Sequence, residues 1–376
     1  MKKLFFLIVA FLFVTSSYYA QELALVVENK LAGYINKSGE MVIQPKYKNA
    51  GSFSEGYAAV TENGKDWGII DKKGDWVIQP EYEKIKKFNS GFVLVLKDDQ
   101  WNYIDASNKV LETPVSEKYF DFNDGVAFYK VEKKLGLIGT DGSVVLKPSY
   151  DVIKPFMNGH AKVRNNDMWG MINNKGEIVH KTEYTEIGDY HKGGVWAKKG
   201  ESFGVISNNE FNINSDINKI NDFRFEGNLT YARKDKLWGY INNKAEWVIN
   251  PKYDKVRAFN NGLAPVFMNK KWAYINEKGE EVIGFNYRDA EVFSDNGLAP
   301  VKVNKLWGFI DKTGKMVIPA EYDITAGGFS IFSKGNIKGF HNGLARVRYK
   351  KTWGFLKKDG TPLSGKWYQN VELFSK

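Results

Sequence analysis

Residues 305–314, Lys-Leu-Trp-Gly-Phe-Ile-Asp-Lys-Thr-Gly, decide the fold because variants of this stretch recur along the whole chain. Aligned on the tryptophan, ten copies follow one another at steps of 34 or 35 residues, with one step of 46 before the last. A period of this length indicates tandem units that bury a core only against their neighbours. The tryptophan slot holds Ala32, Trp67, Trp101, Leu135, Trp169, Phe203, Trp238, Trp272, Trp307 and Trp353.

Other positions recur in the same register. Glycine follows the tryptophan slot in eight of the ten units, and an isoleucine or leucine stands three places after the slot in all of them. A Pro-x-Tyr triplet recurs at residues 45–47, 80–82, 148–150 and 251–253. An aromatic residue three places before a glycine, the Phe-x-x-Gly turn, recurs at Phe53, Phe88, Phe122, Phe156, Tyr190, Phe259 and Phe340, and Phe293 stands four places before its glycine.

The eighth unit shows how one copy is built. Residues 263–268 read as a strand, Asn269-Lys270 as a turn, and residues 272–275 as a second strand. Residues 276–279, Asn-Glu-Lys-Gly, form a second turn, in which glycine supplies a positive φ, and a third strand follows at 281–283. The Asp or Asn after the isoleucine is therefore interpreted as a turn former.

The middle strand is apolar on both faces. Side chains alternate along a strand, so Trp307 and Phe309 point one way and Gly308 and Ile310 the other. A strand that is apolar on both sides is normally covered on both sides. We therefore expect each sheet to lie between the sheets of its neighbours, with the glycine leaving room for a ring from the adjoining unit.

These patterns predict an all-β chain: a tandem array of about ten short antiparallel three-stranded units stacked face to face. Ten units exceed the 4–8 blades typical of propellers, and the register contains no displaced strand that would latch the two ends together. An open, curved, solenoid-like array is therefore favoured, with a closed propeller-like ring as the alternative.

The pattern of a basic residue, Trp-Gly, isoleucine, Asp or Asn, a glycine turn and Pro-x-Tyr resembles the WG repeat family, also called KWG repeats. The resemblance covers residues 22–376 and is most typical at residues 65–82, 236–262 and 305–322. It implies an exported bacterial type of β-repeat scaffold without a general enzymatic activity, with binding or envelope-associated work. The sixth unit departs most, with Phe203 in the tryptophan slot and no Pro-x-Tyr.

The first 20 residues have a separate character. Lys2 and Lys3 precede an apolar run at residues 4–14, which is typical of a cleaved secretory signal and too short to span a bilayer. We expect one repeat domain at 21–376, exported to the periplasm or outside the cell, without a membrane span in the mature chain. Its units are 22–55, 56–90, 91–124, 125–158, 159–192, 193–226, 227–261, 262–296, 297–342 with an insert at 324–337, and 343–376.

The sequence contains no cysteine, Gly-x-Ser-x-Gly elbow, P-loop or His-Glu-x-x-His motif, so we predict a non-enzyme without a cofactor or metal. The four histidines, His160, His180, His191 and His341, are interpreted as exposed, two of them in equivalent turns. Acidic pairs at 98–99 and 280–281 lie beside turns and are interpreted as solvated tips.

Charge is uneven along the chain. Residues 22–226 carry 27 Lys and Arg against 30 Asp and Glu, whereas residues 227–376 carry 25 against 14. Because equivalent turns of stacked repeats align, the basic turns predict a cationic ridge for a protein or an anionic envelope component, although charge that serves solubility alone is the alternative. Nucleic acid is disfavoured by export. The candidate contact residues are Arg233, Lys234, Lys236, Lys270, Lys271, Lys302, Lys305, Phe329, Phe332, Arg346, Arg348, Lys350, Lys351, Lys357 and Lys358.

Two further functions stay open. Trp196 and Trp367 lie off the repeat pattern and are candidates for exposed stacking, which makes a carbohydrate-binding module the second hypothesis. An enzyme whose site is assembled from several units is the third. Binding through the basic ridge should weaken steeply with salt, whereas stacking on glycans should barely respond.

Overall fold

The computed structural model of the chain describes residues 21–225, 227–325 and 338–376. The predicted signal segment and most of the insert lie outside these ranges. The described residues form ten small antiparallel sheets, one for each sequence unit. The one helix in the described ranges is the three-residue 3-10 helix Leu363–Gly365, and no described helix has the length and apolar character to cross a membrane.

Each unit contributes a hairpin of two strands. The first strands are Leu23–Glu28, Ala58–Thr61, Val93–Lys97, Val126–Val131, His160–Asn165, Val195–Lys199, Thr230–Lys234, Leu263–Met268, Ala299–Val303 and Leu344–Tyr349. The second strands, which carry the tryptophan slot, are Leu31–Asn36, Trp67–Ile70, Gln100–Ile104, Lys134–Gly139, Met168–Asn173, Ser202–Ser207, Leu237–Ile241, Lys271–Asn276, Leu306–Ile310 and Thr352–Leu356.

Most sheets have four strands, one more than the sequence predicted, because a two-residue linking strand that follows one unit pairs with the first strand of the next. The third strands are Met41–Tyr47, Trp76–Tyr82, Val144–Tyr150, Ile178–Tyr184, Glu210–Ile213, Trp247–Tyr253, Glu281–Tyr287 and Met316–Tyr322. The linking strands are Asn49–Ala50, Lys84–Ile85, Val152–Ile153, Glu186–Ile187, Lys219–Ile220, Lys255–Val256, Asp289–Ala290, Ile324–Thr325 and Asn370–Val371, and Phe340–His341 adds a further short strand.

The turns follow the chemistry that the sequence indicated. Asn269 and Lys270 both have positive φ, at 52° and 64°, in the two-residue turn of the eighth hairpin. In the second turn of the ninth unit, the Asp311 carboxylate accepts hydrogen bonds from the amides of Thr313 and Lys315, and Gly314 has a φ of 85°. The interpretation of the Asp or Asn as a turn former is confirmed.

The core lies between neighbouring sheets. Tyr274 and Tyr287 of the eighth unit share one buried cluster with Phe293 and Val301 on the side of the ninth. The Tyr274 and Phe293 rings lie 5.0 Å apart, and Tyr274 donates a hydrogen bond to the carbonyl oxygen of Glu291 at 2.8 Å. A buried aromatic pair of this kind contributes about 0.5–1.5 kcal/mol beyond its area. The predicted face-to-face stacking is confirmed.

The glycine after the tryptophan slot has a different role from the one expected. A β-carbon on Gly308 would lie 2.6 Å from the carbonyl oxygen of Ile318 and 2.8 Å from the amide nitrogen of Ala320. These atoms belong to the third strand of the same unit, whose register shifts between its pairings with Trp307 and Phe309. The bulged backbone therefore fills the space, and the expected ring from the adjoining unit does not.

The ten sheets close into a ring. Near the C-terminus, Val371 and Asn370 pair antiparallel with Val26 and Val27 of the first strand, so the first sheet contains strands from both ends of the chain. This is the propeller-like alternative, and the favoured open array is corrected. The sequence did show a continuous register to the end, but a closing strand of two residues has no periodic signature of its own.

The least regular unit is the third. The sixth unit, which departs most in sequence, keeps a shortened third strand at Glu210–Ile213 in regular register. In the third unit, Gln100–Ile104 pairs with Val93–Lys97 and then with Val110 through a single bridge, and no third strand follows in this fully described region. The third unit has Asn102 where eight units have glycine.

Candidate functional site

The two ends of each second strand define two rims of the ring. The turn between the first and second strands lies at one end of the sheet, and the turn between the second and third strands lies at the other. We call these the first rim and the second rim. A second strand of six residues, such as Lys271–Asn276, separates them by about 20 Å at ~3.3 Å per residue.

The first rim of units seven to ten carries the exposed lysines that the sequence singled out. Lys236, Lys270, Lys305, Lys350 and Lys351 all stand at the tips of consecutive first-rim turns and are exposed. Among the described residues no carboxylate forms an ion pair with any of the five. The turn of the seventh unit also carries the exposed Asp235, so the uncompensated positive charge lies on the turns of units eight to ten.

The same rim is acidic on the other side of the ring. In units three, five and six the first-rim turns carry the exposed Asp98 and Asp99, Asp167 and Glu201, whereas in unit four Glu132 is balanced by the exposed Lys133. The prediction of solvated acidic tips is confirmed at residues 98–99, and Glu280 and Glu281 are likewise exposed beside a second-rim turn. The charge asymmetry read along the chain thus becomes an asymmetry around one rim.

Several other basic candidates are already engaged within the fold. The Lys234 ammonium donates to Asp216 at 2.7 Å, and this hydrogen bond raises the pKa of Lys234. The Arg233 guanidinium lies over the Trp238 ring at 5.6 Å, and Lys302 lies over Trp307 at 5.8 Å. Lys271 donates weakly to the carbonyl oxygen of Asn286 at 3.4 Å.

Arg346 is not a surface residue. It is 1% exposed, its Nε donates to the carbonyl oxygen of Val371 at 2.7 Å, and its guanidinium lies 3.7 Å from the centroid of the Trp353 ring. Burial lowers the pKa of the guanidinium. The binding role expected for Arg346 is therefore wrong: it holds the closing strand. Arg348 is half-buried, 6.0 Å from the same ring.

The remaining candidates do not extend the first rim. Lys357 and Lys358 are exposed, but they belong to the turn that follows the second strand Thr352–Leu356 and lie on the second rim. The predicted single ridge is therefore divided between two rims, because successive hairpin turns point in opposite directions. Phe329 and Phe332 of the insert lie outside the described residues.

The two tryptophans proposed for exposed stacking are packed. Trp196 donates from Nε1 to the Asp222 carboxylate at 2.8 Å and lies against Gly188. Trp367 lies against Gly354 and 5.3 Å from the Tyr349 ring. Each ring fills a place within the repeat core, so neither offers a free platform.

Three of the four histidines lie in the fifth unit, and two of them, His160 and His180, are close enough to interact. The His160 ring stacks on Tyr190 at 3.6 Å, and burial together with the charge of His160 lowers the pKa of His180. Burial also lowers the pKa of His191, next to Tyr190. The expectation of exposed histidines is wrong for His160, His180 and His191, which are half-buried, and correct for His341, which is exposed. No group of three His, Asp or Glu in the described ranges is arranged to hold a metal ion.

A groove at the third unit was not anticipated. Its volume is about 680 Å³, and it lies beside Trp101, between the second strand of the third unit and residues 117–121. Lys86 lies over the Trp101 ring at 5.7 Å, and Asp99, Gln100 and Asp121 add polar lining. Burial raises the pKa of Asp121, and Lys86 partly opposes this. Asn102 in the glycine slot and Ser116 in the tyrosine slot were the available signals.

Comparison with known proteins identifies the repeat. A family model described as the WG containing repeat matches residues 33–65, 67–101, 136–169, 169–201, 238–272, 272–307 and 307–367. The matches omit residues 102–135 and 202–237, which include the irregular parts of units three and six. No curated protein matches the chain.

Among solved structures, a eukaryotic initiation factor is 10% identical over 94% of this chain and 98% of its own, with a TM-score of 0.49. PorZ, a surface component of the type-IX secretion system of Porphyromonas gingivalis, is 10% identical over 92% of this chain and 57% of its own, with a TM-score of 0.26. The extracellular domain of a hybrid two-component system from B. thetaiotaomicron is 10% identical over 93% and 57%, with a TM-score of 0.26. The chain thus spans little more than half of the last two, and likeness at this level does not bear on function.

Proposed function

From the premise that the chain belongs to the WG repeat family, we propose that it is an exported, non-catalytic scaffold that binds a macromolecular partner, a protein or an anionic component of the cell envelope. The contact surface is the basic arc, defined as Lys236, Lys270, Lys305, Lys350 and Lys351 on the first rim. The observation that carries the proposal is the placement of these five exposed lysines on four consecutive turns, none of them in an ion pair within the described residues.

Geometry favours an extended partner over a small molecule. The lysines stand on separate turns of neighbouring units, so a ligand must follow the rim to reach several of them at once. Charges on one surface reinforce one another over a Debye length of about 10 Å at 0.1 M salt. A polyanion or an acidic protein surface gains from every turn, whereas a small anion contacts only one.

The acidic first-rim turns on the other side of the ring favour one orientation of the bound partner. Asp98, Asp99, Asp167 and Glu201 repel an anionic partner from the opposite side of the same rim. Charge complementarity of this kind chiefly sets the rate and orientation of association. The partner is therefore expected to bind at one side of the ring and to leave the other side free.

The test replaces all five lysines of the basic arc by glutamine. The matched control makes the same change at five exposed second-rim lysines, Lys244, Lys278, Lys312, Lys357 and Lys358, so that net charge falls equally. Dextran sulfate and vesicles containing phosphatidylglycerol serve as probes. We expect the basic-arc variant to bind at least tenfold more weakly than the control, and binding by the unchanged protein to weaken at least tenfold between 50 and 500 mM NaCl, as surface charge is screened.

Equal loss of binding in both variants would show that binding depends only on net charge. It would exclude the first rim as a specific contact surface. Binding that survives in the basic-arc variant would overturn the proposal. A carbohydrate-binding role based on Trp196 and Trp367 is not proposed, because both rings are packed within the fold.

A further inference from the structure

We propose that the groove beside Trp101 is a docking site for an extended peptide segment of a partner protein, which places an aromatic side chain where other units have the tyrosine of their own third strand. This site is separate from the basic arc and goes beyond the function proposed above. It lies on the third unit, within the acidic side of the ring.

Eight other units show what normally occupies this place. The residue in the tryptophan slot pairs with a tyrosine in each of them, as in Trp67 with Tyr82, Trp238 with Tyr253 and Trp307 with Tyr322. Seven of the eight tyrosines are buried. In the third unit the equivalent position is Ser116, and no residue of this region pairs with Trp101 from the third-strand side.

The third unit forms the first pairing of a third strand, but the strand does not continue. The Leu111 amide donates to the carbonyl oxygen of Tyr103 at 2.9 Å, which is the start of the normal pairing. The chain then turns towards the fourth unit, where the Ser116 hydroxyl accepts a hydrogen bond from the amide of Lys130 at 3.0 Å. The missing segment leaves the groove of about 680 Å³, within the range of specific ligand sites.

The backbone around Trp101 favours a peptide as the occupant. In a hairpin closed by the two-residue turn Asp98-Asp99, Lys97 and Gln100 form the hydrogen-bonded pair next to the turn. Hydrogen-bonded and non-hydrogen-bonded pairs alternate along an antiparallel hairpin, so the amide and carbonyl of Trp101 point away from the first strand and into the groove. An added strand supplies the complementary donor and acceptor, as in recognition by strand addition.

The charge of the groove defines the segment further. Glu117 is paired with Lys130 at 3.2 Å, whereas Asp99 and Asp121 have no ion-pair partner in the described part of the chain. The charge of Lys86 acts on the Asp121 carboxyl, so Asp99 is the carboxylate that favours a lysine or arginine in the docked segment. Lys86 and Lys118 themselves lie over the rings of Trp101 and Phe120.

Asn102 restricts which peptide backbones can lie in the groove. The bulged strands that carry Pro-x-Tyr pass so close to the glycine slot that a β-carbon on Gly239 would lie 2.3 Å from the carbonyl oxygen of Ile249. The eighth unit has Ala273 in that slot, and its third strand, Glu281–Tyr287, lacks proline. The segment bound at the third unit should therefore resemble Glu281–Tyr287 more than the strands with proline.

The first experiment uses a capped, fluorescently labelled peptide with the sequence of Glu281–Tyr287, Glu-Val-Ile-Gly-Phe-Asn-Tyr, and measures its anisotropy with the full chain. We expect saturable binding, at least tenfold weaker when the last residue of the peptide is serine. Lysine at the sixth peptide position should tighten binding several-fold, and Asp99→Asn should remove that gain. Equal affinity for the tyrosine and serine peptides would overturn the proposal.

The protein variants separate docking from folding. Asn102→Gly should admit the proline strand of the seventh unit, Trp-Val-Ile-Asn-Pro-Lys-Tyr, at least tenfold more tightly than the unchanged protein does. Trp101→Ala should abolish binding, whereas Trp169→Ala, the same change where a third strand is present, should not. Failure of Asn102→Gly to improve binding of the proline peptide would contradict the assignment even if Trp101→Ala fails to fold.

Two outcomes distinguish this site from the basic arc. The five-lysine variant of the basic arc should bind the peptide normally, because the two sites lie on different units. Displacement of the peptide by neutral oligosaccharides, with no difference between peptide sequences, would instead identify a glycan groove and overturn the proposal.

Discussion

The guanidinium of Arg346 lies 3.7 Å from the centroid of the Trp353 ring and donates to the carbonyl oxygen of Val371 at 2.7 Å. One buried side chain thus joins the first strand and the tryptophan slot of the tenth unit to the strand that closes the ring. A desolvated cation over an indole is worth about 2 kcal/mol or more, and a charged hydrogen bond about 1.5–3 kcal/mol.

Arg346→Ala should therefore reduce the free energy of unfolding by about 3 kcal/mol or more, since it removes a buried cation and leaves a carbonyl unpaired. Urea unfolding followed by far-UV circular dichroism measures the loss. Lys351→Ala, at an exposed turn of the same unit, is the control and should change stability by less than about 0.5 kcal/mol. A similar result for both variants would contradict the closing role of Arg346.

Gly308→Ala should destabilise the chain by about 1–3 kcal/mol, because the new β-carbon meets the backbone of the third strand, which is not free to move aside. Gly51→Ala is the matched control: its β-carbon would lie 3.6 Å from the nearest atom, at ordinary contact distance. Thermal unfolding should separate the two variants clearly. Equal melting temperatures would show that the bulge is not packed against the glycine as described.

Lys270→Gly should raise stability by about 0.4–1 kcal/mol while it weakens polyanion binding. Lys270 has a φ of 64° in a two-residue turn after Asn269, and Asn-Gly is the preferred sequence for this conformation. Unfolding and dextran sulfate binding are measured on the same preparation. Opposite changes in the two quantities would show that the lysine is retained at the expense of turn stability.

Tyr274→Phe should cost about 1–2 kcal/mol, because the buried carbonyl oxygen of Glu291 loses the phenol hydrogen bond at 2.8 Å. Shape is not the cause, since the ninth unit has Phe309 in the same slot. Phe309→Tyr places a phenol in an equivalent slot and tests whether that site offers an acceptor. No change in the free energy of unfolding for Tyr274→Phe would contradict the contribution assigned to this hydrogen bond.

Acidification between pH 7.5 and 5.5 should destabilise the ring through His180. Its pKa is lowered in the folded chain by burial and by His160, so the unfolded chain takes up the proton first as the pH falls. The free energy of unfolding therefore decreases as the pH passes down through the unfolded pKa, near 6.5. His180→Gln should reduce the change of the urea unfolding midpoint with pH over this interval. An unchanged slope would exclude His180 as the responsible group.

The repeat period and the covered faces of the strands were predictable because ten copies sample the same constraint. Trp-Gly and the Asp or Asn turn recur so regularly that packing between sheets and turn geometry follow from general rules. The identity of the atoms facing Gly308 was not predictable. Local sequence does not distinguish a ring of a neighbour from a bulge in the same sheet.

The site could be predicted only in part. Turn lysines such as Lys270 and Lys305 are exposed because turn tips rarely bury side chains, so their surface position followed from spacing. Arg348 is the counterpart of Arg233, whereas Arg346, two residues earlier, lies under the closing strand, which pairs with the opposite end of the chain. The groove beside Trp101 forms where Asn102 and Ser116 replace the recurring glycine and tyrosine. A search for recurring residues does not detect positions at which the repeat is missing.

Closure by Asn370–Val371 also dictates the order of assembly. The hydrogen bond from the Lys30 amide to the Gln369 side chain joins residues 339 positions apart, so the seam forms only after the last unit is available. Units two to nine can condense one after another against preceding neighbours, while the edge of the first strand stays open. An open edge can accept the closing strand of a second molecule. Refolding at high protein concentration should therefore yield dimers that exchange their closing strands, whereas refolding at low protein concentration should yield monomers.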